Sequence, residues 1–154
     1  MNKPKDGRRN VCVNRKARHE FELGESFEAG IVLVGSETKS LRAGKGNLDD
    51  AWVRVEGGEA WLMGAHIGPY PQAGQFNHEA TRPRKLLLHN SEIARLQQRI
   101  RERGLAVIPL QMYFKGPWCK VEIAVGRGKK LHDKREALKE AQDKREVARA
   151  MRGR

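Results

Sequence analysis

Two stretches of this chain alternate apolar and polar residues with a period of two and turn on glycine, which restricts the available folds. In residues 52–63, Val53 and Val55 alternate with Arg54 and Glu56, Gly57-Gly58 turns the chain, and Ala60, Trp61, Leu62 and Met63 return. In residues 105–125, two runs flank Gly116-Pro117, and Val121, Ile123 and Val125 alternate with Glu122 and Ala124. A two-residue connection can join only antiparallel neighbours, because a parallel pair needs a crossover of about a dozen residues or more. Phe21, Leu23, Phe27, Ile31, Val32, Leu33 and Val34 form a further strand-like run, broken at Gly24 and Gly30. Glycines inside strands mark bulges or sharp corners. Residues 65–67 are expected to prolong the second strand of the first hairpin.

Helices are few. Residues 91–103 place Ile93, Leu96 and Ile100 on one face, with Asn90 or Ser91 as cap and Gly104 as stop. Asn14 can cap a short basic turn, and Ser36 a second short helix ended by Gly44. The reading is mainly β: a small closed antiparallel barrel of OB type, with one long and one or two short helices. Such a barrel removes exposed edges from a short-stranded sheet and carries its long helix between the third and fourth strands. The barrel is assigned to residues 11–125. Residues 1–10 form a disordered basic extension, and residues 126–154 a basic tail, disordered when free and helical when bound. The tail's apolar stripe of Leu138, Ala141, Ala148 and Met151 is too thin to pack firmly. Residues 68–84 form a long loop.

Charge is distributed in three parts. The formal net charge is +12, and residues 1–18 and 126–154 carry +6 each, so residues 19–125 are neutral. Two cationic arms on a neutral body suit a polyphosphate partner, since each neutralised phosphate releases counterions. Neither arm has the broad apolar face that a membrane surface requires. No leader-like segment or membrane span is read, and Cys12 and Cys119 suggest no disulfide framework, which places the protein in a reducing cytoplasm.

Catalytic signals are sparse. His19, His66, His78, His89 and His132 lack metal-ligand spacing, and no phosphate-cradling or nucleophile-elbow motif occurs. Glu28 and Glu37 read better as strand or cap carboxylates than as catalytic ones. No enzyme, metal or cofactor is expected. RNA binding has the stronger pattern: Arg82, Arg84 and Lys85 on a loop, and Lys115 and Lys120 beside Tyr113, Phe114 and Trp118. Rings can stack on bases while cations hold phosphates. Phe27, Trp52 and Trp61 are assigned to the core.

Several ordered blocks sharpen this reading: NRKARHEF (14–21), FEAGIVL (27–33), SETKSLRAGKGNL (36–48), RPRKLLLH (82–89), YFKG (113–116) and KVEIAVGRGKKLHDKR (120–135). In these blocks the chain resembles the SmpB family of tmRNA-binding (SsrA-binding) proteins. The resemblance implies an adaptor without catalysis or cofactor, acting in trans-translation. Such an adaptor binds the tRNA-like domain of tmRNA and brings it to stalled ribosomes, where the nascent peptide is tagged for degradation and the ribosome released. It also implies small-subunit rRNA at the decoding centre as a partner and, indirectly, the elongation factor that delivers aminoacylated tmRNA.

Carried over by position, the resemblance implies tmRNA binding by Asn14, Glu28, Leu87 and Lys120, beside the basic Arg82, Arg84 and Lys85. Arg127, Gly128, Lys129 and Lys130 would lead into the tail. His132, Asp133, Lys134 and Arg135 match the decoding-site motif, with the His132 ring placed to stack on an rRNA base. The tail as a whole would occupy the empty decoding site and message channel. The competing reading from charge alone is a generic rRNA-binding ribosomal or assembly protein.

Overall fold

Gly57 and Gly58 adopt φ angles of 59° and 75°, the left-handed pair that a tight hairpin turn requires, and the chain reverses there. β4 (Trp52–Glu56) and β5 (Glu59–Met63) pair from Trp52↔Met63 to Glu56↔Glu59. The second hairpin forms in the same way. β8 (Leu105–Lys115) and β9 (Trp118–Gly128) pair along their whole length, through Gly116 at φ 62°. The computed structural model describes residues 8–129, residue 103 excepted.

β1 (Arg8–Val13) and α1 (Arg15–Glu20) precede β2 (Phe21–Ile31), the long run with its two internal glycines. α2 (Gly35–Arg42), β3 (Gly46–Asn47) and β6 (His66–Ile67) flank the first hairpin, and β7 (Arg84–Leu87) leads into α3 (Asn90–Ile100). The main sheet has seven strands in the order β1-β8-β4-β5-β7-β2-β9, with a further β8–β9 pairing, and all its pairs are antiparallel. The pairings run from β8 through β4, β5, β7, β2 and β9 back to β8. Val53↔Val107 is the single bridge between β4 and β8.

Alternation sends one set of side chains into the core. Ala29, Leu62, Leu86, Val107, Met112, Phe114, Val121 and Ile123 are nearly inaccessible there, and α3 adds Leu96. Each fully buried aliphatic or aromatic side chain contributes about 1.5–3 kcal/mol. Asn14 caps α1 as expected, its Oδ1 accepting from the Ala17 N–H at 3.2 Å.

Several expectations are corrected. Residues 65–67 do not prolong β5: Gly64 (φ 73°) ends it, and His66–Ile67 pairs with β3 in a separate small sheet. The first short helix after β2 starts at Gly35, not behind a Ser36 cap. Its Glu37 carboxylate accepts from the Val34 N–H at 2.9 Å, while Ser36 Oγ lies 2.9 Å from His78 Nδ1. α3 follows His89 rather than Asn90 or Ser91, with the Glu92 carboxylate accepting from the His89 N–H at 3.0 Å, and it ends at Ile100.

Val32–Val34 is not strand, and Val32 and Val34 are exposed. Arg8–Asn10 are not part of a disordered extension, because they pair with β8 as the first half of β1. β9 runs three residues past Val125, held by Phe21↔Gly128 and Leu105↔Arg127. The expectations for residues 1–7 and for the tail from residue 130 lie outside the described residues. Among the described residues no helix is long and apolar enough to cross a membrane.

Candidate nucleic-acid interface

Directly opposed residues of an antiparallel pair present their side chains to the same face. Leu87 on β7 opposes Gly30 on β2, Gly30 opposes Lys120 on β9, and Lys120 opposes Tyr113 on β8. One step along, Glu28 opposes Glu122, which opposes Gln111. These two rows lie on the outer face, since their chain neighbours Ala29, Leu86, Val121, Met112 and Phe114 form the core. Glu28, Leu87 and Lys120, far apart in sequence, thus share one surface. Gly30 keeps it level: a Cβ there would stand 3.2 Å from Leu87 Cβ.

Glu28 is tied into this surface rather than left loose. It accepts a short hydrogen bond from the Tyr113 hydroxyl, with Lys115 Nζ at 3.7 Å and Arg8 at 4.0 Å. The Tyr113 hydrogen bond, followed by the charges of Lys115, Lys120 and Arg8, holds its carboxyl below the usual range despite some opposing burial. Burial, then the bond to Glu28, pushes the Tyr113 phenol well up. Arg8 also stacks over the Tyr113 ring at 4.5 Å and reaches Glu122 at 4.0 Å, while Gln111 Nε2 donates to Glu122 at 2.6 Å. Both carboxylates are therefore met by cations within the fold.

Other predicted residues fall elsewhere. Asn14 is 5% exposed, and its side chain is spent on capping α1 and on donating to the Pro109 carbonyl at 2.9 Å. Arg84 is a correction: it is wholly buried rather than displayed on a loop. As the first residue of β7 it points inward with Leu86. It bonds the Glu37 carboxylate and donates to the carbonyls of Ala65 (2.8 Å), Ala80 (3.0 Å) and Glu79 (3.3 Å).

Glu37, equally buried, also accepts from Arg82, so it is not the exposed carboxylate expected. Burial opposes its ionised form, but hydrogen bonds from Arg82, the Val34 N–H and Arg84 prevail and lower its carboxyl. Lys85 is half-buried, with its Nζ 3.6 Å from Glu59. Arg127 and Lys129 are exposed at the end of β9, Gly128 is still paired, and Lys130, His132, Asp133, Lys134 and Arg135 lie outside the described residues.

The aromatic assignments also change. Trp52 is 47% exposed, because it flanks the inward Val53 and must face out. Trp61 is half-buried, while Phe27, also half-buried, packs against the core as expected. Tyr113 and Phe114 are buried, on opposite faces of β8, and Phe114 lies under Arg42 at 4.3 Å. Sequence reasoning missed Arg8 and Glu122. The signal was present only as cross-strand register, which no local pattern shows. Among the described residues no group of three or more His, Cys, Asp or Glu side chains could hold a metal ion.

The assembled blocks allow comparison with known proteins. The family model described as SmpB protein matches residues 11–153. The chain belongs to the SmpB family. Among similar proteins, the SsrA-binding protein of Desulforudis audaxviator is 57% identical over 143 residues, covering 93% of this chain and 94% of that protein. The SsrA-binding protein of Microcystis aeruginosa is 56% identical over 142 residues, covering 92% of each. A solved chain from work on tmRNA-SmpB and the center of the bacterial ribosome superposes with a TM-score of 0.66 at 43% identity, over 77% of this chain and 83% of that one. The Glu28 face, its Tyr113 support and the Arg84–Glu37 pair are thus features of this member of the family.

Proposed function

We propose that this chain is an RNA-binding adaptor of trans-translation, which binds the tRNA-like domain of tmRNA and joins it to stalled ribosomes. The observation that carries the reading is the single outer surface on which Glu28, Leu87 and Lys120 meet beside Arg8 and Lys115. Membership of the SmpB family supports it. On this reading the circuit of strand pairings closes into an OB-like barrel, a rigid receptor for RNA. Phosphates meet Lys120, Lys115 and Lys85, and the Glu28 carboxylate accepts from base or ribose donors. Asn14 acts indirectly, by fixing α1 and so presenting Arg15, Lys16 and Arg18, all exposed.

Residues 127–135 serve a second site. Arg127, Gly128, Lys129 and Lys130 lead the tail off β9, and His132, Asp133, Lys134 and Arg135 engage small-subunit rRNA at the decoding centre. The elongation factor carrying aminoacylated tmRNA is an indirect partner, and the protein works in the cytoplasm. The test is the full chain carrying D133A, K134A and R135A together. It should bind a tRNA-like tmRNA fragment as the parent does, while peptide tagging on stalled ribosomes is lost. Joint loss of both activities argues for one continuous RNA-binding surface instead.

A further inference from the structure

The β8–β9 hairpin offers three rings to a partner, and the fold withdraws two of them. Tyr113 is 1% exposed beneath Arg8, and Phe114 is 2% exposed in the core. Trp118 is 68% exposed. Among the described residues its indole makes no hydrogen bond and no ring–cation contact.

Its placement is set by register. Trp118 opens β9 directly opposite Lys115, just after the turn at Gly116. Lys120 stands two residues on, so it shares the face, and Arg8 on β1 opposes Lys115 from the other side. The ring therefore ends the same outer surface that holds Glu28, with Lys115 across the strand pair and Lys120 two residues along its own strand. Lys120 has no ion pair among the described residues, whereas Lys115 reaches Glu28. An indole left this open loses the apolar burial available to it in the core, and a flat π-surface with two lysines as neighbours on its face matches an unpaired nucleotide: base on ring, phosphates on lysines.

We propose that Trp118 is a stacking platform for an unstacked base of the bound RNA, with Lys115 and Lys120 holding its flanking phosphates. The inference rests on the reading of this face as the RNA receptor, and it specifies what that face recognises. It takes a loop or helix-end nucleotide whose base face is free, which the interior of a duplex cannot offer.

The experiment uses the full chain and a transcript of the tmRNA tRNA-like domain, with affinities measured across a salt series. W118A should weaken binding by roughly 5- to 150-fold, the effect of removing one base–aromatic stack, and leave the salt slope unchanged. W118F should keep most of the affinity, and W118L, apolar but not aromatic, should behave like W118A. K120A should weaken binding and reduce the salt slope by about one. Indole emission should be quenched by RNA in the parent and less so in W118F. Melting temperatures of the Trp118 variants should match the parent.

The stacking proposal is overturned if W118A binds RNA like the parent while E28A and K120A lose affinity. It is overturned equally if W118L matches W118F, or if W118A loses only ribosome association. If E28A, K120A and W118A all bind like the parent, the reading of the whole face fails, and the stacking proposal with it.

Discussion

The Tyr113 hydroxyl donates to the Glu28 carboxylate across 85 positions of sequence, and Arg8 covers the same ring at 4.5 Å. A carboxylate on a surface proposed to receive a polyanion is costly unless its charge is met and its direction fixed. Tyr113 does the second, and Arg8 and Lys115 do the first. Removing one hydroxyl therefore tests the arrangement without emptying the core.

Y113F should lower affinity for the tRNA-like RNA by several-fold while costing about 1 kcal/mol of stability, the net worth of one hydrogen bond. The Glu28 carboxyl, held low by that bond before any other cause, should titrate at higher pH in the variant. Its ionised form would then be lost sooner as pH falls. NMR titration of the Glu28 carboxyl checks the direction, and an unmoved carboxyl in Y113F would sink the positioning role.

Glu37 and Arg84 should behave as a buried pair. E37L alone leaves Arg84 as an uncompensated buried charge and should cost about 3–5 kcal/mol. R84M leaves Glu37 held by Arg82 and the Val34 N–H and should cost less than E37L, and the double variant should recover part of the E37L loss. R82A removes the partner at the surface, one third exposed, and should cost below about 1 kcal/mol. Urea unfolding separates these cases. Equal midpoints for R84M and R82A would show that Arg84 carries no special burden.

Acid should reach the fold through the same knot. The Glu37 carboxyl is lowered in the folded state, so its contribution to stability is present above the ordinary carboxylate value of 4.5 and is lost as pH falls through the depressed one. Melting temperature followed downward from neutral pH should drop on the acid side, and the drop should be shallower in the E37L/R84M double variant. The same slope in both proteins would assign acid lability to other groups.

Gly64 and Gly57 share a left-handed backbone but differ in surroundings. A Cβ at Gly64 would sit 2.7 Å from the Asp50 carbonyl oxygen, while one at Gly57 would meet nothing within 4 Å. G57A should cost about 1 kcal/mol through conformation alone. G64A adds a backbone clash and should cost about 2 kcal/mol or more. Thermal unfolding of the two variants decides it, and equal losses would mean that the Asp50 segment yields freely.

Local chemistry was legible in the sequence wherever a few neighbouring residues suffice. Gly57-Gly58 and Gly116-Pro117 specified their hairpins, Asn14 its cap, and Ile93, Leu96 and Ile100 a helix face. Asymmetric charge specified a polyanionic partner class. Arg84 was misread because the four residues of β7 are too few to show a strand period, and Trp52 because a period leaves the inward face open. A period of two says which residues share a face, not which face is inside. In RPRK, Arg84 looks like a loop cation until β7 pairs with β5 and β2 and its first residue turns inward onto Glu37. Trp52 looks like core until Val53 takes the inward position. The sequence by itself determined the two hairpins and their turns, the α1 cap, the apolar face of α3 and the charge distribution. Tertiary pairing alone decided that Glu28, Tyr113, Lys120 and Leu87 would form one surface, because residues up to 92 positions apart become neighbours only when β2, β7, β8 and β9 align.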